Sequence, residues 1–256
     1  MKKIRVSVIS YLNTVPFLYG LTNHPVKEMI DIRLCTPSRS ANDMLTGKTD
    51  VAILPSAVVP ELGEEFIISD YCIGADGRVA SVLLCSNKPV EEINHICLDV
   101  DSRTSVVLAK ILMKNHWYRD VTFSPCDYTN TEPDPLTSCV LIGDKALRYA
   151  GNFSYVYDLA EEWIRYTSLP FVFACWTSSR ELEPSFVEQF NSALSYGVSN
   201  IADALDSFST GFDKDFAYHY LTNNISYPLS PDKRKGLSEF WSLAPEELKS
   251  KVRRRL

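Results

Sequence analysis

Apolar and polar positions alternate along this chain in short blocks, and the blocks predict strands and helices in turn. Val6, Val8 and Ile9 lead into a polar turn, Ser10-Tyr11-Leu12-Asn13-Thr14, and Pro16 then opens an apolar stretch. That spacing predicts a strand over 4–9 with uncharged hydrogen-bonding side chains at its carboxyl end, where open α/β sheets bind small ligands. Further strands are predicted over 30–35, 51–54, 80–85, 95–100, 138–142, 155–158 and 171–176. Helical stretches lie between them, among them 40–46 and 104–115. Such a βαβ alternation predicts an α/β fold with mainly parallel sheets covered by helices and, at most, an antiparallel strand at an edge.

From Pro184 onward the period changes. Phe186, Phe190, Leu194, Val198, Ile201, Leu205 and Phe208 recur every three to four residues, the mark of a helical stripe packed on a core. A last helix is predicted to start at Ser230-Pro231, a capping serine followed by proline at the first helical position. The closing run KSKVRRRL reads as a solvated tail. Asn87-Lys88-Pro89 and Ser168-Leu169-Pro170 bracket a self-contained βαβ block. We therefore expect an outer discontinuous lobe over residues 1–86 and 172–256, an inserted lobe over 87–171, and a hinged cleft between them.

Composition narrows the function. With 256 residues, 45% of them hydrophobic and 23% charged, the chain has the make-up of an ordinary globular protein. A net charge of −6 argues against a nucleic-acid partner. It also means that an anionic ligand would depend on local cations and aimed backbone dipoles. No apolar run reaches the roughly eighteen residues of a membrane span. The basic start (Lys2, Lys3, Arg5) is followed by an apolar run broken at Ser10 and Asn13, without a small-residue cleavage site, so a mature amino terminus is expected. The seven cysteines are odd in number and form no CxxC pair. Reduced core thiols in a cytoplasmic protein follow as the expectation. The oligomeric state is left open.

Four later segments are candidate site segments, and three of them share the strand-then-polar-turn pattern of the amino terminus. In residues 96–113 a strand ends at Asp99–Asp101 and a helix starts near Ser102–Ser105. Ser102, Thr104 and Ser105 offer hydroxyls beside the unpartnered N–H groups of the first helical turn, and Arg103 adds a fork for a carboxylate. Two readings stand for this turn, an anion cradle or a plain helix cap with a surface arginine. In residues 78–86, Ser81 either faces the cleft or is a strand serine satisfied by backbone. Residues 49–57 form a short buried strand ending at Pro55-Ser56. Residues 139–147 run from a strand into Gly143, which permits close backbone approach, and Asp144, which either caps the next helix or meets the ligand.

Some chemistries have no support. The four histidines show neither metal spacing nor a triad-like neighbourhood, and glycine, 10 in all, forms no phosphate loop. There is no G-x-S-x-G, no HExxH and no paired-carboxylate motif. An enzyme of this make-up would draw little on protein acids and bases, as in an elimination driven by its own substrate.

SYLNTVPF near the start, DVAILPS, VASVLL, LDVDSRTS, LIGDKAL and DLAEEWIRYTSLPFVFACW together resemble the chorismate dehydratases of the futalosine route to menaquinone, in family order over residues 4–180. The resemblance implies a type II periplasmic-binding-protein-like fold, two α/β lobes around a central cleft. It implies loss of water from chorismate to give 3-[(1-carboxyvinyl)oxy]benzoate, with no metal and no organic cofactor. The family's proposed base is the enolpyruvyl carboxylate of the substrate itself. By motif, Asn13 and Ser81 take catalytic roles, while Ser10, Ser56, Ser102, Arg103, Thr104, Ser105, Gly143 and Asp144 bind substrate. Two alternatives stand beside it. The sister enzyme 1,4-dihydroxy-6-naphthoate synthase opens with a SPCPND-like turn and uses a histidine base, unlike SYLNT here. A non-catalytic small-anion binding protein shares the fold, which by itself does not decide function.

Overall fold

The computed structural model describes residues 3–63, 66–128 and 131–245; the basic run 249–256 lies outside the described residues. The chain lays down β1 (Ile4–Ile9), α1 (Val15–Asn23), β2 (Ile30–Cys35), α2 (Pro37–Leu45), β3 (Val51–Pro55) and β4 (Ile67–Ala75). It then forms β5 (Val82–Ser86), β6 (His95–Asp99), α3 (Thr104–Asn115), β7 (Thr122–Cys126), β8 (Cys139–Ile142) and α4 (Gly143–Tyr149). Next come β9 (Tyr155–Asp158), α5 (Leu159–Thr167), β10 (Phe171–Ser178), α6 (Pro184–Ser199) and α7 (Ile201–Ser207). The last elements are α8 (Lys214–His219), a π turn over Tyr220–Asn224, β11 (Ser226–Pro228) and α9 (Pro231–Leu243).

The strands form two sheets, ordered β11-β4-β10-β3-β1-β2 and β7-β6-β8-β5-β9. Each is mixed, which corrects the expectation of mainly parallel sheets. β1 runs parallel to β2 and β3, and β6 runs parallel to β7 and β8. β10 is antiparallel to both of its neighbours, and so is β5. These two are interior strands, and each is the first laid down after the chain changes sheet. The strands of the βαβ units bring their carboxyl ends to the cleft, whereas a strand arriving from the other sheet starts there and runs away.

Sheet membership also moves the expected crossings. β5 belongs to the five-stranded sheet, so the chain first changes sheet between Ala75 and Val82, not after Ser86. It returns between Thr167 and Phe171. Ala80 and Ser81, expected inside a strand, lie in the first crossing, where Ala80 adopts a left-handed φ of 61°.

β3 and β10 are buried along their whole length, as fits strands covered on both faces. Trp176 of β10 meets Phe17 and Phe190 edge-on at 5.7 and 5.0 Å, joining the sheet to α1 and α6. A fully buried aromatic side chain of this kind contributes about 1.5–3 kcal/mol. α1 and α6 approach so closely that a Cβ on Gly20 would stand 2.0 Å from the Ala193 carbonyl oxygen, and one on Gly197 would stand 1.9 Å from that of Pro16. The predicted carboxyl-terminal stripe breaks at Asn200 into α6 and α7 and packs on the core through Phe186, Phe190, Leu194, Ile201 and Leu205. Ser230 caps α9 as expected, its hydroxyl accepting the Lys233 N–H at 3.3 Å. All seven cysteines are free thiols. Among the described residues no helix is long and apolar enough to cross a membrane.

Candidate functional site

The carboxyl end of β1 runs into a tight turn, Leu12–Thr14, that opens onto a cleft between the sheets. Thr14 fixes the turn, since its hydroxyl donates to the carbonyls of Ile9 and Tyr11. The Tyr227 hydroxyl donates to the Asn13 carbonyl at 3.1 Å. With its backbone held this way, Asn13 lines the cleft beside Tyr11.

Ser81 lies on the floor of the cleft in the first crossing, and the buried carboxylate of Asp158 holds the backbone that precedes it. Asp158 accepts the N–H groups of Val79 at 3.2 Å and Ala80 at 2.7 Å. It also caps α5 by accepting from Ala160 and Glu161 at 3.1 and 3.2 Å. Burial raises its carboxyl above the ordinary range, and these N–H bonds and Arg78 oppose that. The Ser81 hydroxyl accepts from the Tyr220 hydroxyl at 2.7 Å. Burial likewise raises the Tyr220 phenol above its ordinary value. Tyr220 opens the π turn, a helical irregularity that is frequent at functional sites.

The facing wall comes from the inserted lobe, where α3 points its amino terminus into the cleft. Ser102 acts as the local cap, its hydroxyl accepting the Ser105 N–H at 3.2 Å. Thr104 ties the lobes together: its hydroxyl donates to the Phe173 carbonyl at 3.2 Å and accepts the Ala57 N–H at 3.2 Å. No partner for the Ser105 hydroxyl is found among the described residues, and Ser105 lines the cleft. Arg103 also lines it, with its side chain 40% exposed and one nitrogen 3.8 Å from Glu61 of the outer lobe. Gly143 completes the wall with φ +56°, and a Cβ there would lie 2.8 Å from the Tyr11 ring. The position thus needs glycine on both conformational and steric grounds.

Seven expected residues therefore share one hollow: Asn13, Ser81, Ser102, Arg103, Thr104, Ser105 and Gly143. Three do not line it. Ser56 is buried beneath it, donating to the Val172 carbonyl at 2.7 Å. Ser10 is exposed and borders a neighbouring hollow with Asp144. Asp144 accepts the Leu12 N–H at 3.0 Å across the lobes, and burial raises its carboxyl, opposed by that bond and by Arg148. It clasps the SYLN turn and forms no helix cap. Sequence reasoning passed over Tyr11, Phe173 and Tyr220. Tyr11 belongs to the SYLN turn, whereas nothing in the periodicity of residues 214–224 marks Tyr220.

The hollow encloses about 570 Å³ of empty space, its open mouth included, which suits a small organic ligand. Among the described residues lining it, Arg103 alone is charged, and no carboxylate or imidazole is present. One cation and one helix amino terminus stand on one side, amide and hydroxyl groups on the other. That arrangement receives an anion and aims hydrogen bonds at its neutral part. The lobes also meet at the rim, where the Ser38 hydroxyl donates to Asp101 at 2.8 Å. Among the described residues no cluster of three His, Cys, Asp or Glu side chains has metal-binding geometry.

A family profile described as menaquinone biosynthesis matches residues 4–246. The chain is 26% identical over 243 residues to a chorismate dehydratase of Campylobacter jejuni, covering 91% of this chain and 93% of that protein. It is 28% identical over 200 residues to a chorismate dehydratase of Thermus thermophilus, covering 68% and 71%. Among solved structures it is similar to protein AF1704 from Archaeoglobus fulgidus, with TM-score 0.79 at 15% identity over 96% of this chain and 97% of that one. It is also similar to the alkanesulfonate-binding protein SsuA from Xanthomonas axonopodis bound to MOPS, with TM-score 0.63 at 16% identity over 95% and 94%. A Candida albicans protein with the generic periplasmic binding protein fold aligns with TM-score 0.66 at 11% identity over 99% and 95%. At these identities the structural likenesses speak for the fold alone, two α/β lobes around a cleft.

Proposed function

Since the chain belongs to the menaquinone biosynthesis family, we propose that it is a chorismate dehydratase, a hydro-lyase forming 3-[(1-carboxyvinyl)oxy]benzoate in the futalosine branch of that pathway. The ring C–H beside the enolpyruvyl ether gives up its proton, and its electron pair becomes a ring double bond. The neighbouring C–O bond breaks, and the hydroxyl and proton leave together as water. Aromatisation drives the step, so the protein has chiefly to hold one conformer.

The observation that carries this reading is the charge of the lining: one guanidinium and no side-chain base among the described residues. A proton acceptor then has to come with the ligand, and the enolpyruvyl carboxylate of chorismate is one. Arg103 and the first turn of α3, with the Ser105 hydroxyl, take a carboxylate of the dianion. Asn13 bonds the reacting region and helps the hydroxyl depart, and Ser81 makes a second polar contact. Ser102, Thr104 and Gly143 shape the cradle, and Ser56 and Asp144 support it from behind. The cytoplasm is the compartment that this reading assigns.

The test is purified protein incubated with chorismate and no added metal. Enolpyruvylbenzoate should form, followed by ultraviolet absorbance and mass spectrometry. Tight binding without turnover would turn the assignment to a binding protein.

A further inference from the structure

The π turn grips the first crossing at two points. The Asn224 side-chain amide donates to the Arg78 carbonyl at 3.0 Å, and the Tyr220 hydroxyl donates to Ser81 Oγ at 2.7 Å. Between these points lie Val79 and Ala80, held from the other side by Asp158 at 3.2 and 2.7 Å. Ser81 is thus fixed by groups from both lobes. Its side chain, 1% exposed in a residue that lines the cleft, has a defined hydrogen-bond polarity. A hydroxyl has one proton to give, and Tyr220 gives its own to Ser81. For the Ser81 proton no protein acceptor is found among the described residues, and a buried donor left unpaired costs about 1–3 kcal/mol.

We propose that Tyr220 is a positioning residue: by donating to Ser81 Oγ it turns the Ser81 proton into the cleft, as a hydrogen-bond donor to an uncharged oxygen of the ligand. The direction follows from the bond itself: the Ser81 oxygen accepts from the phenol, so the one proton of Ser81 is left for the cleft. Bonds in such a chain polarise one another, so the last donor is stronger than an isolated serine. The ligand's carboxylates belong by charge at Arg103, which leaves its neutral part for Ser81. Resting on the chorismate reading above, the receiving oxygen is that of the departing hydroxyl. Its developing negative charge takes a stronger hydrogen bond in the transition state than in the ground state.

Tyr220→Phe keeps the ring and removes only the relay. We expect kcat for chorismate to fall about 10–100-fold, the range for groups that orient a contacting side chain. KM should stay within about threefold and Tm within about 4 °C. Ser81→Ala and the double variant should then have the same kcat, because both act through one proton. Additive losses, or wild-type kcat in Tyr220→Phe, would overturn the relay. A readout independent of turnover separates the two proposals. In the ligand-free wild-type protein the Tyr220 hydroxyl proton should give a slowly exchanging resonance with a cross-peak to Ser81, absent in Tyr220→Phe. If chorismate is not converted, the dehydratase reading fails and this spectrum decides the relay; a missing cross-peak overturns it.

Discussion

The outer wall of the cleft is made of uncharged groups, Asn13 and the hydrogen-bonded pair of Tyr220 and Ser81, whereas the inserted lobe presents a helix amino terminus with Arg103 beside it. On the outer wall Ser81 is buried and preset, its hydroxyl held by Tyr220 before a ligand arrives. On the inserted wall Ser102, Thr104 and Ser105 are buried as well, and the one charge, half-exposed on Arg103, stands 3.8 Å from Glu61. In a chain of net charge −6, attraction for an anion has to be local, and the inserted lobe supplies it. The difference suggests a division of labour in which one wall sets affinity and the other the rate.

Removing the outer-wall amide should have the largest effect. Asn13→Ala is expected to lower kcat about 10²–10³-fold, the cost of losing a preset donor, with a much smaller change in KM, by steady-state kinetics with chorismate. A change in KM alone would make both walls affinity elements. Next comes the inserted wall. Arg103→Ala should weaken benzoate binding about tenfold in calorimetry, since a half-exposed charge-assisted bond is worth about 1.4 kcal/mol. An unaltered dissociation constant would leave the anion to the helix amino terminus alone.

The smallest effect probes the clasp between the walls. Burial raises the Asp144 carboxyl above its unfolded value, so the folded state binds the proton more tightly. Its contribution to stability therefore falls as pH rises from the ordinary carboxylate range through the raised folded value, and it stays lost at neutral pH. Asp144→Asn keeps an oxygen for the Leu12 N–H without the buried charge. We expect its Tm to exceed wild type by about 2 °C at pH 7, and the gain to vanish below the carboxylate range. A gain that persists in acid would place its cause outside this titration.

Much of the site could be read from local sequence because local geometry makes it. SYLNT follows a strand and turns back within a few residues, SRTS opens a helix, and Gly143 stands where no side chain fits. The mixed sheets were less legible. Periodicity reports that β5 and β10 are buried, but strand direction depends on which sheet the chain has just left. Three strands went unread for related reasons: β4 carries Ser69 and Asp70, β7 contains Pro125, and β11 has only three residues.

By itself, the order of residues determined the alternation of elements, the turns at strand ends, the shortage of acid–base side chains and the likeness to the menaquinone family. These depend on neighbours within about one turn or one strand of each other, where spacing is itself geometry. The tertiary structure alone decided that Tyr220 meets Ser81 across 139 positions of chain, that Asp144 clasps the Leu12 turn, and that Ser56 lies beneath the cleft. Such contacts arise from the packing of segments far apart in the chain, across the two lobes or across neighbouring strands of one sheet, and no periodicity within a segment encodes them.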